Sequence, residues 1–286
     1  SRDSYALLLV SPLHLLVVII PLWLLIDAGS RQLNMGSPQF TWGLLSVSLT
    51  VVHTLAILAE VLVLGGVFVG AIAWAASSVP GMLDLLNRFQ MRLAYSNLNP
   101  EVLWRIMQTY MDNPLILYLL LAVFSGFIPL IEELLKPLVL WFLVKRNMTP
   151  AEGWMAGMLA GVAFALFESM NAMTSAMNST WVLMALGRVG AGTLHIVASG
   201  FVGWAMASAF SEGRYWRLVK AFLLAITLHA LWNALTLIMG VGEFARNSFL
   251  QSLGMVAPAG ILILFITMLL ILLHNNRVLR RETVKA

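Results

Sequence analysis

Two adjacent carboxylates, Glu132 and Glu133, stand inside a long apolar run, and Lys136 follows them. A charged side chain at bilayer depth costs about 2.5–3.5 kcal/mol even on a lenient insertion scale, so such residues need a chemical reason. Lys136 is four residues after Glu132 and three after Glu133, within ion-pair reach of either on a helix. Because adjacent helical side chains point in different directions, we expect one glutamate to face a site and the other to be held by Lys136.

Four more polar residues stand in the apolar runs that follow: Glu168, His195, His229 and Asn233. His195 is the one large polar member of a stripe of small residues, which turns it toward protein and away from lipid. His229 and Asn233 are four apart and share one helix face. Carboxylates and imidazoles gathered in a dry place either share protons or ligate a cation.

Depth along the helices tests whether these side chains meet. At about 1.5 Å per residue from each cytoplasmic helix end, Glu132 lies roughly 20 Å deep and Glu168 roughly 24 Å. His195 and Asn233 come out at roughly 22 Å and His229 at roughly 17 Å by the same rise. Four helices thus deliver polar groups to one layer, which we interpret as a site.

Four other polar residues are set aside on the same reasoning. Arg188 falls about 10 Å nearer the outer face and is interpreted as interfacial or structural. His14, His53 and His274 lack polar companions at their depth and are interpreted as core or interface residues.

The elements that must carry the site are membrane-spanning helices. The chain is 60% apolar and only 10% charged, with a mean hydropathy of +0.88. A spanning helix needs about 20 apolar residues. Seven blocks qualify: 6–26, 42–64, 115–144, 152–170, 182–210, 218–240 and 255–274. We therefore predict an all-α, polytopic transmembrane bundle of about seven spans. The second block is long enough for an alternative, a hairpin near Gly65-Gly66 that makes eight.

Proline and glycine predict how the central spans are shaped. Pro137 removes the amide that would bond the Glu133 carbonyl, so we expect a kink around the acidic pair. Gly153, Gly157 and Gly161 recur every fourth residue in the next span, which permits close helix contact.

Composition along the chain suggests four parts. We assign 1–79 to N-terminal spans, 80–114 to a short amphipathic extracytoplasmic connector, 115–240 to the core and 241–286 to a last span with a basic tail. The connector either packs on the spans or gates a substrate.

Charge sets the orientation and narrows the partners. The formal net charge of +4 comes from basic residues beside the spans, as in topology signals, so a nucleic-acid partner is not expected. The positive-inside rule places the C-terminus in the cytoplasm of a multi-pass membrane protein, and a bacterial cytoplasmic membrane is the expected location. The sequence contains no cysteine, so thiolate chemistry and disulfides are excluded.

Four motifs in this order resemble the PrsW family, within the wider superfamily of CAAX-type and bacteriocin-processing (CPBP) glutamic membrane proteases. They are Glu132-Glu133-Leu134-Leu135-Lys136, Phe164-Ala165-Leu166-Phe167-Glu168, the lone His195, and His229-Ala230-Leu231-Trp232-Asn233. Together they cover about 115–240, with one motif on each predicted span.

The resemblance implies hydrolysis of a peptide bond within the membrane by a carboxylate-activated water. Carried over by position, Glu132 is the general base, with Glu133 and Lys136 assisting or orienting it. His229 and Asn233 donate to the developing oxyanion. The resemblance leaves open whether Glu168 or His195 helps to hold the water.

A charge count leaves the cofactor open. Three carboxylates against one lysine leave a net −2 if both histidines are neutral, so one carboxylate holds a proton or a cation is bound. A shared proton fits a glutamic peptidase, which we favour, with no cofactor. Zinc is the alternative, held by Glu132, His195 and His229, although the sequence lacks HExxH.

Two other classes of function compete with a peptidase. A proton-coupled transporter also places acidic residues at mid-membrane, but the two halves show no inverted repeat. A catalytically silent scaffold has little need for two adjacent glutamates. The expected partners are the lipid bilayer and a membrane protein or peptide substrate. By analogy, the substrate is a single-span regulator such as an anti-sigma factor.

Overall fold

The computed structural model describes residues 2–34, 36–78, 83–84, 87–88, 90–91, 114–143, 148–174 and 181–285. These residues are helical almost throughout, and no strand occurs among them. Seven helical stretches are long and apolar enough to cross a membrane. The prediction of a polytopic all-α bundle with about seven spans is therefore confirmed.

The helices follow the predicted blocks closely. In chain order they are α1 (Arg2–Ser30), α2 (Pro38–Val47), α3 (His53–Ser78), α4 (Pro114–Leu120), α5 (Ile128–Leu135), α6 (Leu138–Leu143), α7 (Pro150–Thr174), α8 (Trp181–Glu212), α9 (Tyr215–Phe244) and α10 (Ser248–Lys285). Two π-helical segments, Ser48–Val52 and Leu121–Phe127, join α2 to α3 and α4 to α5. The second span therefore begins in α2, and the third runs from α4 into α6.

The second apolar block is one long helix. α3 continues without a break through Gly65 and Gly66, so the alternative of a hairpin with eight spans is wrong. A glycine costs a helix interior only about 1 kcal/mol relative to alanine, and the apolar residues on both sides carry the helix through.

Most of the predicted amphipathic connector over 80–114 lies outside the described residues. Its described positions at 83–84, 87–88 and 90–91 are helical, and an exposed ion pair joins Arg88 Nη2 to Asp84 Oδ2 at 2.5 Å. The pair is one helical turn apart, as the predicted amphipathic pattern requires.

The chain divides into two compact units. One comprises Ser1–Ala56, Pro129–Trp232 and Leu262–Ala286, and the other comprises Ile57–Ile128 and Asn233–Ile261. The fourfold division derived from composition follows chain order and stays a prediction.

The first unit is built on close contact between α7 and α8. A Cβ atom on Gly161 would lie 2.2 Å from the His195 carbonyl oxygen, and one on Gly157 would lie 2.1 Å from that of Ser199. Both distances are far below van der Waals contact, so only glycine allows the backbones to approach this closely. The close contact predicted from Gly153, Gly157 and Gly161 is confirmed, and it fixes the height of His195 against α7.

A capping box defines the beginning of α7. The Thr149 amide donates to Glu152 Oε2 at 2.8 Å, and the Glu152 amide donates back to Thr149 Oγ1 at 3.3 Å. This reciprocal pair satisfies amides that the first helical turn leaves without partners. The register of α7, and hence the face that carries Glu168, is set from this end.

Within the second unit, α9 and α10 also meet through glycines. A Cβ on Gly242 would lie 2.6 Å from the Gly254 Cα atom. The side chain of Asn247 accepts from the amide of Phe249 at 2.9 Å and so caps the start of α10. Small residues at a helix crossing permit the van der Waals contact that drives association in lipid.

Candidate active site

The third span is interrupted on both sides of the acidic pair. Before it, the amide of Ile128 bonds the Val123 carbonyl five residues back, and Pro129 has no amide to donate. The Phe124 carbonyl is therefore left without a helical donor. After the pair, the helix breaks in a turn at Pro137. The predicted kink is confirmed, and it takes the form of two separate interruptions.

Lys136 lies at the centre of the polar cluster. Its Nζ is 2.6 Å from Glu133 Oε1, 3.0 Å from Glu132 Oε2 and 2.8 Å from His195 Nδ1. The side chain is completely buried, and its ammonium also lies 5.1 Å from the centre of the Phe164 ring. Glu133 Oε1 and His195 Nδ1 accept hydrogen bonds from this ammonium, and Glu132 Oε2 forms an ion pair with it.

This arrangement differs from the sequence prediction in one respect. Lys136 was expected to hold one glutamate, but it contacts both, because its long side chain places Nζ between them. The two glutamates differ instead in exposure. Glu133 is completely buried, whereas the side chain of Glu132 is 10% exposed. Glu132 is therefore the member of the pair with accessible surface.

His195 is held in one tautomer by its two neighbours. Because an ammonium only donates, Nδ1 must accept from Lys136, and the ring proton of the neutral imidazole is then on Nε2. Nε2 lies 3.1 Å from Glu168 Oε2 and donates to it. Both ring nitrogens are thus used within the cluster, and His195 links Lys136 to Glu168.

His229 is oriented by Glu133. Its Nδ1 lies 2.8 Å from Glu133 Oε1, and since a carboxylate only accepts, Nδ1 carries the proton. In the neutral ring, Nε2 then presents a lone pair. The ring also lies edge-on to His195, with ring centres 5.2 Å apart. Glu133 therefore fixes both the tautomer and the direction of this buried imidazole.

Arg188, interpreted from its depth as interfacial or structural, contacts the site through Glu168. Its Nη2 is 3.2 Å from Glu168 Oε2, and its Nε donates to Ser169 Oγ at 3.0 Å. Arg188 precedes His195 by seven residues on α8 and so shares its face, and the long side chain spans the difference in depth. The site then holds three carboxylates and two cations, a formal net charge of −1 with neutral histidines, where the sequence count was −2.

His53 is a second residue that sequence reasoning set aside. It is buried at the start of α3, with its ring centre 3.9 Å from that of Phe167 and 4.7 Å from that of Phe164. Its Nδ1 is buried without a hydrogen-bond partner among the described residues, and it is near enough to Glu168 and Glu132 to interact with their charges. A π-helical segment directly precedes His53, and such segments are frequent at functional sites. No pattern in the sequence predicted this segment.

Asn233 makes its contact in the second unit. Its Nδ2 donates to the Phe124 carbonyl at 2.8 Å, which is the carbonyl that the π-helical register and Pro129 leave without a donor. A side-chain amide has two N–H donors and a carbonyl oxygen, so one donor and the oxygen are left for other partners. Asn233 follows His229 by one helical turn on α9.

Three carboxylate oxygens in the first unit lack hydrogen-bond partners among the described residues. They are Glu132 Oε2, Glu133 Oε2 and Glu168 Oε1, and all three are buried. Glu132 Oε2 has its ion-pair contact with Lys136. A buried acceptor without a donor costs about 1–3 kcal/mol, more when it is charged. These oxygens therefore favour a proton, a water molecule or a cation.

The cluster is also a candidate metal site by its donor set. Glu132, Glu133, His195 and His229 each offer one ligand atom, and these atoms all lie within 4.8 Å of one another. Carboxylate and imidazole ligands suit zinc. The donor chemistry fits a metal, but three of these four side chains are the ones that contact the Lys136 ammonium.

Fold and site together define a polytopic membrane protein with a buried acid–base centre. Residues 39–272 match the model of the PrsW family intramembrane metalloproteases, and the chain belongs to this family. It is therefore a multi-pass membrane protease that acts on membrane proteins. The match extends well beyond the 115–240 covered by the motifs, so α3 and much of α10 also belong to the family's common part. No curated protein and no solved structure matches the chain.

Proposed function

We propose that this protease hydrolyses a peptide bond of a membrane-associated protein with a water molecule activated by Glu132, as in the glutamic membrane proteases of the CPBP superfamily. The observation that carries the proposal is the position of Lys136. Its ammonium lies 2.6–3.0 Å from Glu132, Glu133 and His195. A protein cation thus already lies among the groups that would otherwise surround a metal ion, and it compensates one of their two negative charges.

Glu132 is the proposed general base because it is the partly exposed glutamate of the pair. It takes a proton from water, and the resulting hydroxide attacks the carbonyl carbon of the substrate. When the tetrahedral intermediate collapses, the C–N bond breaks and the proton passes to the leaving amine. Lys136 holds the carboxylate in position between turnovers through their 3.0 Å contact.

Glu133 is proposed as a positioning residue for His229. The contact between its carboxylate and Nδ1–H orients the ring, in the way an aspartate orients the histidine of a catalytic triad. In the proposed step the ring carries a second proton, on Nε2, and this N–H donates to the oxyanion. The second proton changes the formal charge of the site from −1 to zero.

Asn233 is proposed as the second oxyanion donor. It follows His229 by one turn on α9, and only one of its two N–H groups is engaged, by the Phe124 carbonyl. Glu168 and His195 are proposed to help hold the attacking water, since they form one hydrogen-bonded pair.

The direct test is cleavage by Glu132→Gln. Purified protein is reconstituted in liposomes with a tagged single-span membrane protein as substrate, and products are identified by mass spectrometry. We expect no cleavage by Glu132→Gln and wild-type cleavage by Glu282→Gln, an exposed glutamate near the end of α10. Wild-type cleavage by a folded Glu132→Gln protein would remove Glu132 from the role of base.

A zinc-dependent mechanism is the second candidate, favoured by the four clustered ligand atoms and by the family's description as metalloproteases. Glu132, His195 and His229 would hold the ion, with Glu133 or Glu168 left as the base. Zinc would supply Lewis-acid activation of water. In that case His195 would give up its contact with Lys136 or the one with Glu168, because both ring nitrogens are engaged.

Elemental analysis beside activity separates the two mechanisms. We expect far less than one metal per chain, and activity that ignores a membrane-permeant chelator. Stoichiometric zinc whose removal and return track the loss and recovery of activity would contradict the glutamate mechanism. Zinc binding by a Lys136→Met variant adds a measurement that does not depend on catalysis. If the four clustered side chains can bind the ion, removal of the ammonium should raise the affinity for zinc.

Topology, location and substrate complete the proposal. We place the C-terminus in the cytoplasm of a bacterial cell and take a single-span regulator such as an anti-sigma factor as the substrate class. Because the chain has no cysteine, single cysteines introduced by Val284→Cys and Ser248→Cys can report the two ends of α10. An impermeant thiol reagent added to intact cells should label only Ser248→Cys, and the reverse pattern would overturn the orientation.

A further inference from the structure

A polar cavity of about 380 Å³ lies where the apolar parts of α1 and α10 end. Its polar lining is Asp27, Arg31, Gln32, Asn276, Arg277 and Arg280. The apolar run of α10 stops at Leu273, and that of α1 stops beside Asp27. The cavity therefore sits at the level at which lipid headgroups meet these two spans.

The cavity is strongly basic. Three arginines against one aspartate give it a formal charge of +2. Neither Arg31 nor Arg277 makes an ion pair with a carboxylate in the described parts of the chain. Arg280 Nη1 donates to Gln32 Oε1 at 2.7 Å, while its Nε is buried without a partner among the described residues. An N–H donor buried in this way costs free energy unless a ligand or water accepts from it.

The walls are held by the protein's own hydrogen bonds. The amide of Asn276, only 4% exposed, donates to the carbonyls of Gly29 and Arg31 at 3.1 Å each and so ties the end of α1 to α10. Gln32 takes a left-handed backbone conformation with φ of 63°, which is uncommon for a residue other than glycine. This turn presents its side chain to Arg280, so the cavity is formed before any ligand binds.

We propose that this cavity binds the phosphate group of an anionic phospholipid headgroup. Guanidinium groups match phosphate oxygens with paired N–H donors, which makes arginine the residue suited to this ligand. Basic pockets between spanning helices at headgroup level are the setting in which anionic lipids are recognised. The site lies apart from the catalytic residues and does not depend on the proposed mechanism.

The test counts lipids on the purified full-length protein. Native mass spectrometry in detergent follows titration with dioleoylphosphatidylglycerol, with dioleoylphosphatidylcholine and with inorganic phosphate as separate probes. We expect one phosphatidylglycerol per chain to bind saturably and tighter than phosphatidylcholine. Saturation by inorganic phosphate with exclusion of the lipid would mean that free phosphate is the ligand, and would overturn the lipid assignment.

Matched variants decide whether the cavity is responsible. Arg31→Gln with Arg277→Gln should weaken phosphatidylglycerol binding about 25-fold, because each basic residue near an anionic headgroup contributes roughly fivefold. Arg214→Gln with Arg281→Gln removes the same charge outside the cavity and should change binding little. Asp27→Asn should tighten binding, because it removes the one negative charge of the cavity lining. This variant also tests the cavity if the double cavity variant does not fold. Equal losses in both double variants, or no tightening with Asp27→Asn, would overturn the proposal.

Discussion

Replacing Glu133 by glutamine separates a positioning role from a catalytic one. Glu133 is completely buried, and its Oε1 lies 2.6 Å from Lys136 Nζ and 2.8 Å from His229 Nδ1. Glutamine keeps the shape but removes the charge that compensates the buried ammonium. Removing one partner of a buried ion pair costs about 3–5 kcal/mol. Because Glu132 still contacts Lys136 at 3.0 Å, we expect the lower end, about 3 kcal/mol.

The expected consequence is a loss of both stability and turnover. For chains of roughly this size, about 3 kcal/mol lowers the melting temperature by roughly 6–12 °C. Turnover should fall by roughly 10²-fold or more, because His229 loses the group that fixes its tautomer. Glu132→Gln provides the contrast: it should abolish turnover with a smaller shift in melting temperature, since Lys136 keeps its shorter contact to Glu133.

The assay pairs thermal unfolding with cleavage. The ten tryptophans of the chain report unfolding by intrinsic fluorescence in detergent, and the same samples are assayed for cleavage in liposomes. A Glu133→Gln protein that melts like the wild type but is inactive would show that Glu133 acts in the chemistry and not through position. Equal destabilisation by Glu132→Gln would refute the inference drawn from their different burial.

Two further predictions concern the oxyanion and the packing of the central helices. Asn233→Ala should lower turnover by roughly 10²–10³-fold, the usual cost of losing an oxyanion donor, with little change in substrate affinity. A variant that loses affinity but keeps its maximal rate would instead make Asn233 a recognition residue. Gly161→Ala should lower stability by about 1–3 kcal/mol and also reduce turnover, because its Cβ would lie 2.2 Å from the His195 carbonyl oxygen. Gly187→Ala on α8 has open space around its Cβ and is the matched control, so equal melting temperatures for the two variants would contradict the packing argument.

Periodicity and hydropathy were sufficient to predict the helices. Long apolar runs leave the backbone no hydrogen-bonding partner in lipid except itself, so each run must be helical. The glycines of α7 likewise identified the helix contact, because close approach requires the absence of a Cβ atom. The one ambiguity, Gly65-Gly66 in the second block, arose because glycine is compatible both with a turn and with a continuous helix. Continuity across it appears only in the folded chain.

The groups proposed for chemistry could be assembled from helical rise alone. A fixed rise per residue converts sequence position into depth, so the sequence alone places Glu132, Glu168 and His195 in one layer. Depth is only one of three dimensions, however. Which side chains touch depends on helix rotation and lateral packing, and these follow from many contacts that no motif encodes.

For this reason only the tertiary structure decided the contacts and the burial of the groups within the layer. It placed the Lys136 ammonium between both glutamates, assigned Glu133 to the interior and left Glu132 partly exposed. It also showed a contact between Arg188 and Glu168. The long side chain of Arg188 spans the difference in depth between the two residues, whereas an estimate from helical rise alone places them apart. His53 entered from a helix with no recognisable motif. The sequence determined which groups share a depth in the membrane, and packing determined which of them are in contact.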